Sequence, residues 1–176
     1  MVNLLAYFFI SLISLIALSA IVTVLISQKI KRSIPKFGKI TTLKDAEIHW
    51  YETGHGRPII MLHGLAGNLR NFTYALTDKL NQDFRVIAID RAGCGWSKRS
   101  RPESATLHEQ ARIISEFIKK EKIEKPLIVG HSLGGAIALT LALEHKTKIS
   151  GLALICPATQ MIDDIPDIFR FLNISN

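Results

Sequence analysis

Leu127-Ile128-Val129-Gly130-His131-Ser132-Leu133-Gly134-Gly135 is the stretch of this 176-residue chain that decides the fold. Three apolar residues read as a buried strand, and Gly135 to Glu144, rich in alanine and leucine, reads as a helix. Between them lies a G-x-S-x-G. A strand that passes into a helix through so few residues needs a sharp turn, with Ser132 held in a strained conformation and its hydroxyl lifted above the sheet. Gly130 and Gly134 are small because neighbouring backbone must pass close by. The helix that follows aims its first N–H groups at the same spot, where they can stabilise developing negative charge. Five loosely specified positions recur by chance, so the signal lies in their placement between strand and helix.

Outward from this turn, apolar runs and helical periods alternate. Ile48 to Glu52 reads as a strand closed by the turn Gly54-His55-Gly56. Pro58 to Leu62 and Arg85 to Asp90 are continuous enough to be strands buried on both faces, and Leu152 to Ile155 is a further one. Asn71 to Leu80 is helix-like. Leu107 to Glu121 spaces Ala111, Ile114 and Ile118 by three and four, with Ile113 and Phe117 beside them, as an amphipathic helix does. Strand and helix in turn predict an α/β fold: a parallel-type sheet with flanking helices.

Ligands of such sheets sit at the carboxyl ends of the strands, which directs attention to two more loops. Leu62-His63-Gly64-Leu65-Ala66-Gly67 has the glycines that let a loop fold back and present a backbone N–H to the serine. The candidate pair of anion-stabilising donors is therefore the N–H of Leu133 and the N–H of Leu65. His63 is expected to be a structural histidine bonded to the loop backbone. Asp90-Arg91-Ala92-Gly93-Cys94-Gly95-Trp96-Ser97 contains G-x-G but neither the third glycine nor the later acidic residue of a dinucleotide site. A shaped loop walling the pocket is the expectation, and Cys94 has no basic neighbour to make it a reactive thiol.

The remaining features are compositional. Val2 to Ile26 holds 20 apolar residues in 25 positions and no charge. As a helix, Leu4 to Ile26 reaches about 35 Å, enough to cross a hydrocarbon layer of about 30 Å. No Lys or Arg precedes the run, it is long for a secretory signal, and more apolar residues follow Ala17-Leu18-Ser19, so an anchor is preferred to a cleaved leader. Of the net +7, five basic residues cluster just after it: Lys29, Lys31, Arg32, Lys36 and Lys39. From Ile40 onward 17 basic residues face 15 acidic ones, which gives no nucleic-acid-binding surface. The cluster favours a cytoplasmic position for that end, and two unpaired cysteines suit a reducing compartment. The resulting division is a transmembrane anchor at 1–28 (span about 4–26) and a basic juxtamembrane linker at 29–45. The fold proper occupies 46–160, and 161–176 is the start of a lid or a disordered tail.

The three loops, in this order and spacing, resemble the α/β-hydrolase fold family from about Ile48 to Ala158. His63-Gly64 resembles its oxyanion loop, Asp90-x-x-Gly93-x-Gly95-x-Ser97 the loop after its next strand, and Gly130-His131-Ser132-Leu133-Gly134-Gly135 its nucleophile elbow. The resemblance implies a serine esterase, lipase or related acyl hydrolase of the membrane, acting on a small hydrophobic ester or acyl substrate. Ser132 would be the nucleophile, and no metal or organic cofactor is implied. Serine at 132 argues against the relatives that carry aspartate there, haloalkane dehalogenases and epoxide hydrolases.

The family places an acid and then a histidine on loops after later strands. The histidines here are His49, His55, His63, His108, His131 and His145, and none follows Leu152. Asp163 and Asp164 occupy a place where some relatives carry the acid, although a surface role at the start of the lid is the plainer reading. An incomplete α/β-hydrolase core with an unpaired last strand is thus expected. A second reading is a non-catalytic, membrane-tethered binding module with the same fold.

Overall fold

The computed structural model describes residues 2–33 and 37–159. The chain divides into two units, Met1–Phe37 and Gly38–Asn176. The first contains one helix, α1 (Val2–Ser33), in which Leu4–Lys29 is long and apolar enough to cross a membrane. Two of its hydroxyls are satisfied within the helix: Ser19 Oγ donates to the Ile16 carbonyl and Thr23 Oγ1 to that of Ser19, each at 2.8 Å. A hydroxyl bonded in this way costs little in lipid. The helix runs to Ser33.

The second unit is built on one sheet. Its strands are β1 (Lys39–Thr42), β2 (Ala46–Thr53), β3 (Arg57–Leu62), β4 (Phe84–Ile89), β5 (Lys98–Arg99), β6 (Leu127–His131) and β7 (Gly151–Ile155). The order is β1-β2-β4-β3-β6-β7, with β5 on β2. β4, β3, β6 and β7 are mutually parallel, while β1, β2 and β5 pair antiparallel, so the expected parallel-type sheet is mixed at one edge. At the other edge β7 pairs with β6 alone among the described residues. An open edge of this kind is a template for another strand.

Lys39–Thr42, expected in the linker, is a strand because tertiary contacts complete it. Trp50 Nε1 donates to Thr41 Oγ1 at 2.9 Å, and Thr41 Oγ1 donates onward to Glu121 Oε1 at 2.6 Å. Neither partner is visible in a local window. Residues 161–176, expected as lid or tail, lie outside the described residues.

The connecting helices are α2 (Arg70–Thr73), α3 (Thr77–Leu80), α4 (Leu107–Lys120) and α5 (Leu133–Glu144), with a 3-10 turn at Pro102–Ala105. The helix expected over 71–80 is thus two short ones. Phe72 and Thr77 are both buried, yet five residues along a straight helix would point them about 140° apart. A turn between them lets both face inward. α4 is N-capped by Thr106, whose side-chain oxygen accepts from the Glu109 N–H at 3.3 Å. Ala111, Ile113, Ile114, Phe117 and Ile118 form its buried face. They pack with Ile60, Leu62, Ile87, Ile89 and Ile128 of the sheet and with Ile137 and Leu141 of α5. Each large side chain so buried contributes about 1.5–3 kcal/mol. Ile59, Met61, Val86 and Ala88 are the alternate residues of β3 and β4, and they are buried as well. The central strands are therefore covered on both faces, and their sequences run apolar without alternation.

Candidate active site

Ser132 sits between β6 and α5 with φ 52° and ψ −119°. A non-glycine residue rarely adopts such angles, and the surrounding backbone fixes them. Its N–H donates to the Ile155 carbonyl at 3.0 Å. Its carbonyl accepts from Gly135 at 2.8 Å, Ala158 at 3.1 Å and Ala136 at 3.3 Å. The glycines around it serve close approach. A Cβ on Gly130 would lie 2.5 Å from the Gly134 oxygen, and one on Gly135 would lie 2.7 Å from Pro157 Cβ. One on Gly134 would collide with the Leu62 carbonyl oxygen. Strand β6, helix α5 and the end of β3 are thereby locked around one residue.

Ser132 is half-buried, and no described residue hydrogen-bonds its hydroxyl. Among the described residues the N–H of Leu133, first in α5, has no acceptor. The loop after β3 approaches from the other side. A Cβ on Gly64 would come 3.0 Å from Ser132 Cβ and 3.2 Å from His131 Nδ1. Gly64 to Gly67 is a turn closed by the Gly67 N–H on the Gly64 carbonyl at 3.3 Å, with Ala66 at φ 54°. Leu65 occupies this turn, exposed, and its N–H likewise has no acceptor among the described residues.

His63 is fully buried beneath the turn. Its Nδ1 lies 2.9 Å from the Gly64 carbonyl and its Nε2 3.1 Å from the Arg91 N–H. A carbonyl only accepts and an amide only donates, so the ring is neutral with its proton on Nδ1. Burial, aided by the Arg91 guanidinium, pushes its pKa down to about 4. This is the structural histidine that the sequence predicts.

The loop after β4 is organised by a residue to which sequence reasoning assigned no role of its own. Asp90 is buried and accepts from the Leu69 N–H at 2.7 Å, the Trp96 N–H at 2.9 Å and His49 Nδ1 at 2.7 Å. It joins the loop after β4 to β2 and to the chain entering α2. Gly95, at φ 54°, lies so close that a Cβ would collide with the Asp90 carboxylate. The signal available in the sequence was an acid directly after an apolar strand, where a buried charge demands several donors. Among the described residues no three His, Cys, Asp or Glu side chains gather where they could hold a metal ion.

Residues 57–172 match the family described as the alpha/beta hydrolase fold. The chain belongs to that family. Among similar α/β-hydrolase relatives, the AB hydrolase superfamily protein YisY of Bacillus subtilis is 31% identical over 135 residues, covering 68% of this chain and 50% of the relative. Haloalkane dehalogenase 2 of Mycobacterium tuberculosis is 32% identical over 110 residues, covering 61% and 37%. Among solved structures, the esterase from Exiguobacterium antarcticum superposes with a TM-score of 0.64 at 29% identity, covering 70% of this chain and 46% of that one. The chain spans about half or less of the length of these relatives.

Proposed function

We propose that this chain belongs to a membrane-anchored serine hydrolase that acts on carboxylic esters or related acyl substrates through an acyl-enzyme on Ser132. The observation that carries the reading is the strained Ser132 backbone, held by four hydrogen bonds while its hydroxyl stays unbonded among the described residues. Strain maintained at this cost is a feature of reactive positions. Ser132 Oγ attacks the acyl carbon, and the carbonyl π electrons move to oxygen. The N–H groups of Leu133 and Leu65 stabilise that oxyanion. Its collapse expels the alcohol, which takes a proton, and water then releases the acid from Ser132. The dehalogenase relative does not redirect this reading, because serine occupies position 132.

Attack requires a base to take the hydroxyl proton. None of the described imidazoles hydrogen-bonds Ser132 Oγ; His63 is held by the turn and His108 Nδ1 by Glu144 at 2.7 Å. The base is therefore expected from outside residues 37–159. α1 would serve as a single-pass anchor, with the hydrolase unit on the cytoplasmic side beside the basic cluster.

The test is hydrolysis of p-nitrophenyl butyrate in detergent by the complete protein to which this chain belongs, with the segment that supplies the base, compared with Ser132→Ala. Loss of about 10³-fold or more in kcat is expected. Equal turnover by Ser132→Ala contradicts the reading. A folded wild type without turnover favours the non-catalytic module instead.

A further inference from the structure

Arg91 is 4% exposed; burial lowers the pKa of its guanidinium, which as an arginine side chain remains a cation. Among the described residues no carboxylate lies within ion-pair distance of it. A buried cation without a counter-anion is a poor device for stability, since an apolar side chain of similar volume fills the space without the desolvation cost. Its hydrogen bonds point to another purpose. Nε donates to the His63 carbonyl at 2.8 Å, and Nη2 to the Gly64 carbonyl at 2.9 Å. The Arg91 N–H fixes the His63 ring through Nε2, and that ring donates from Nδ1 to the same Gly64 carbonyl.

The Gly64 carbonyl and the Leu65 N–H belong to one peptide plane. In a trans peptide the two bonds point in opposite directions, and the plane barely twists. Holding the oxygen therefore aims the hydrogen. Three donors hold this oxygen: Arg91 Nη2, His63 Nδ1 and the Gly67 N–H. One of them is charged, so the amide is also polarised, which strengthens its N–H as a donor.

We infer that Arg91 is a positioning residue for the oxyanion loop: its guanidinium, bound to the carbonyls of His63 and Gly64, aims and polarises the Leu65 N–H toward the oxyanion formed on the Ser132 adduct. The inference rests on the serine-hydrolase reading. It assigns the buried charge to the transition state, where a small misalignment is costly, and not to substrate binding.

The test uses the complete protein, with the segment that supplies the base, in detergent as wild type, Arg91→Met, Arg91→Lys and Ser132→Ala. Two quantities are measured: p-nitrophenyl butyrate turnover, and inhibition by a trifluoromethyl ketone of matching chain length, which adds to serine as a tetrahedral oxyanion. Arg91→Met should lower kcat about 10- to 100-fold with KM changed less than about threefold, and ketone affinity should fall in step. Arg91→Lys, with the charge and one donor kept, should recover part of both; it is the deciding variant if the methionine protein does not fold. A folded Arg91 variant with unchanged kcat and ketone affinity overturns the inference, as does a loss of kcat without loss of ketone affinity. Inactive Ser132→Ala beside a fully active Arg91→Met removes only the role of Arg91. Active Ser132→Ala overturns both this inference and the reading beneath it.

Discussion

Gly64 lies so close to Ser132 that a Cβ on the glycine would approach the serine Cβ to 3.0 Å. The loop after β3 and the turn after β6 are therefore in close contact at this residue pair. β3 and β6 are adjacent and parallel, with Leu62 in register with Gly130, which brings their carboxyl ends together.

Gly64→Ala should disturb this contact more than it disturbs the fold. The added methyl also meets His131 Nδ1 at 3.2 Å and the His131 carbonyl at 3.3 Å, so either the loop or the elbow must move. Overpacking of this kind costs about 1–3 kcal/mol. Thermal unfolding should show that loss, and ester turnover should fall about tenfold or more, because displacement of a catalytic group is costly.

Two other glycines give opposite expectations. A Cβ on Gly134 would be 2.6 Å from the Leu62 carbonyl carbon and 2.7 Å from the His63 oxygen, both rigid backbone. Gly134→Ala should cost about 3 kcal/mol or more and separate α5 from β3. Gly151→Ala meets only Leu127 Cδ1 at 3.5 Å, an ordinary contact. Its unfolding free energy from urea titration should stay within about 0.5 kcal/mol of wild type or rise.

Legibility in the sequence followed the range of the interactions. Ser132 and its flanking strand and helix were readable because a strand, a G-x-S-x-G and a helix are contiguous, and the expected strain is present at φ 52°. The two-sided burial of Pro58–Leu62 was readable because no polar residue interrupts it. β1 was not, since Thr41 depends on Trp50 and on Glu121, 80 positions away. The hub at Asp90 was missed for the same reason: its donors come from His49, Leu69 and Trp96.

Asp90→Asn should test that hub. The carboxylate accepts three N–H groups, and an amide can accept through its oxygen only. Hydrogen bonds to a buried charge contribute about 1.5–3 kcal/mol each. A loss of about 2–4 kcal/mol in urea unfolding is expected, with Leu69 and Trp96 amide protons exchanging faster by hydrogen-exchange mass spectrometry.

His63 should make the fold acid-sensitive. Its folded pKa of about 4 lies below the ordinary value of 6.5, so the unfolded chain binds a proton first as pH falls. Stability from this group is intact above about pH 6.5 and declines down to about pH 4, by on the order of 3 kcal/mol. Urea midpoints at pH 7.5, 6 and 5 should fall in that order. A His63 imidazole that titrates near pH 6.5 in the folded protein, read from its proton shifts, would contradict a neutral buried ring.

The central claim is that Ser132 is a nucleophile. Its most direct test is intact-mass and peptide mapping of the complete protein, with the segment that supplies the base, after exposure to a fluorophosphonate. The account predicts a single phosphonyl adduct on the peptide that contains Ser132, absent in Ser132→Ala. An unmodified folded wild type, or an adduct mapped to another residue, contradicts it.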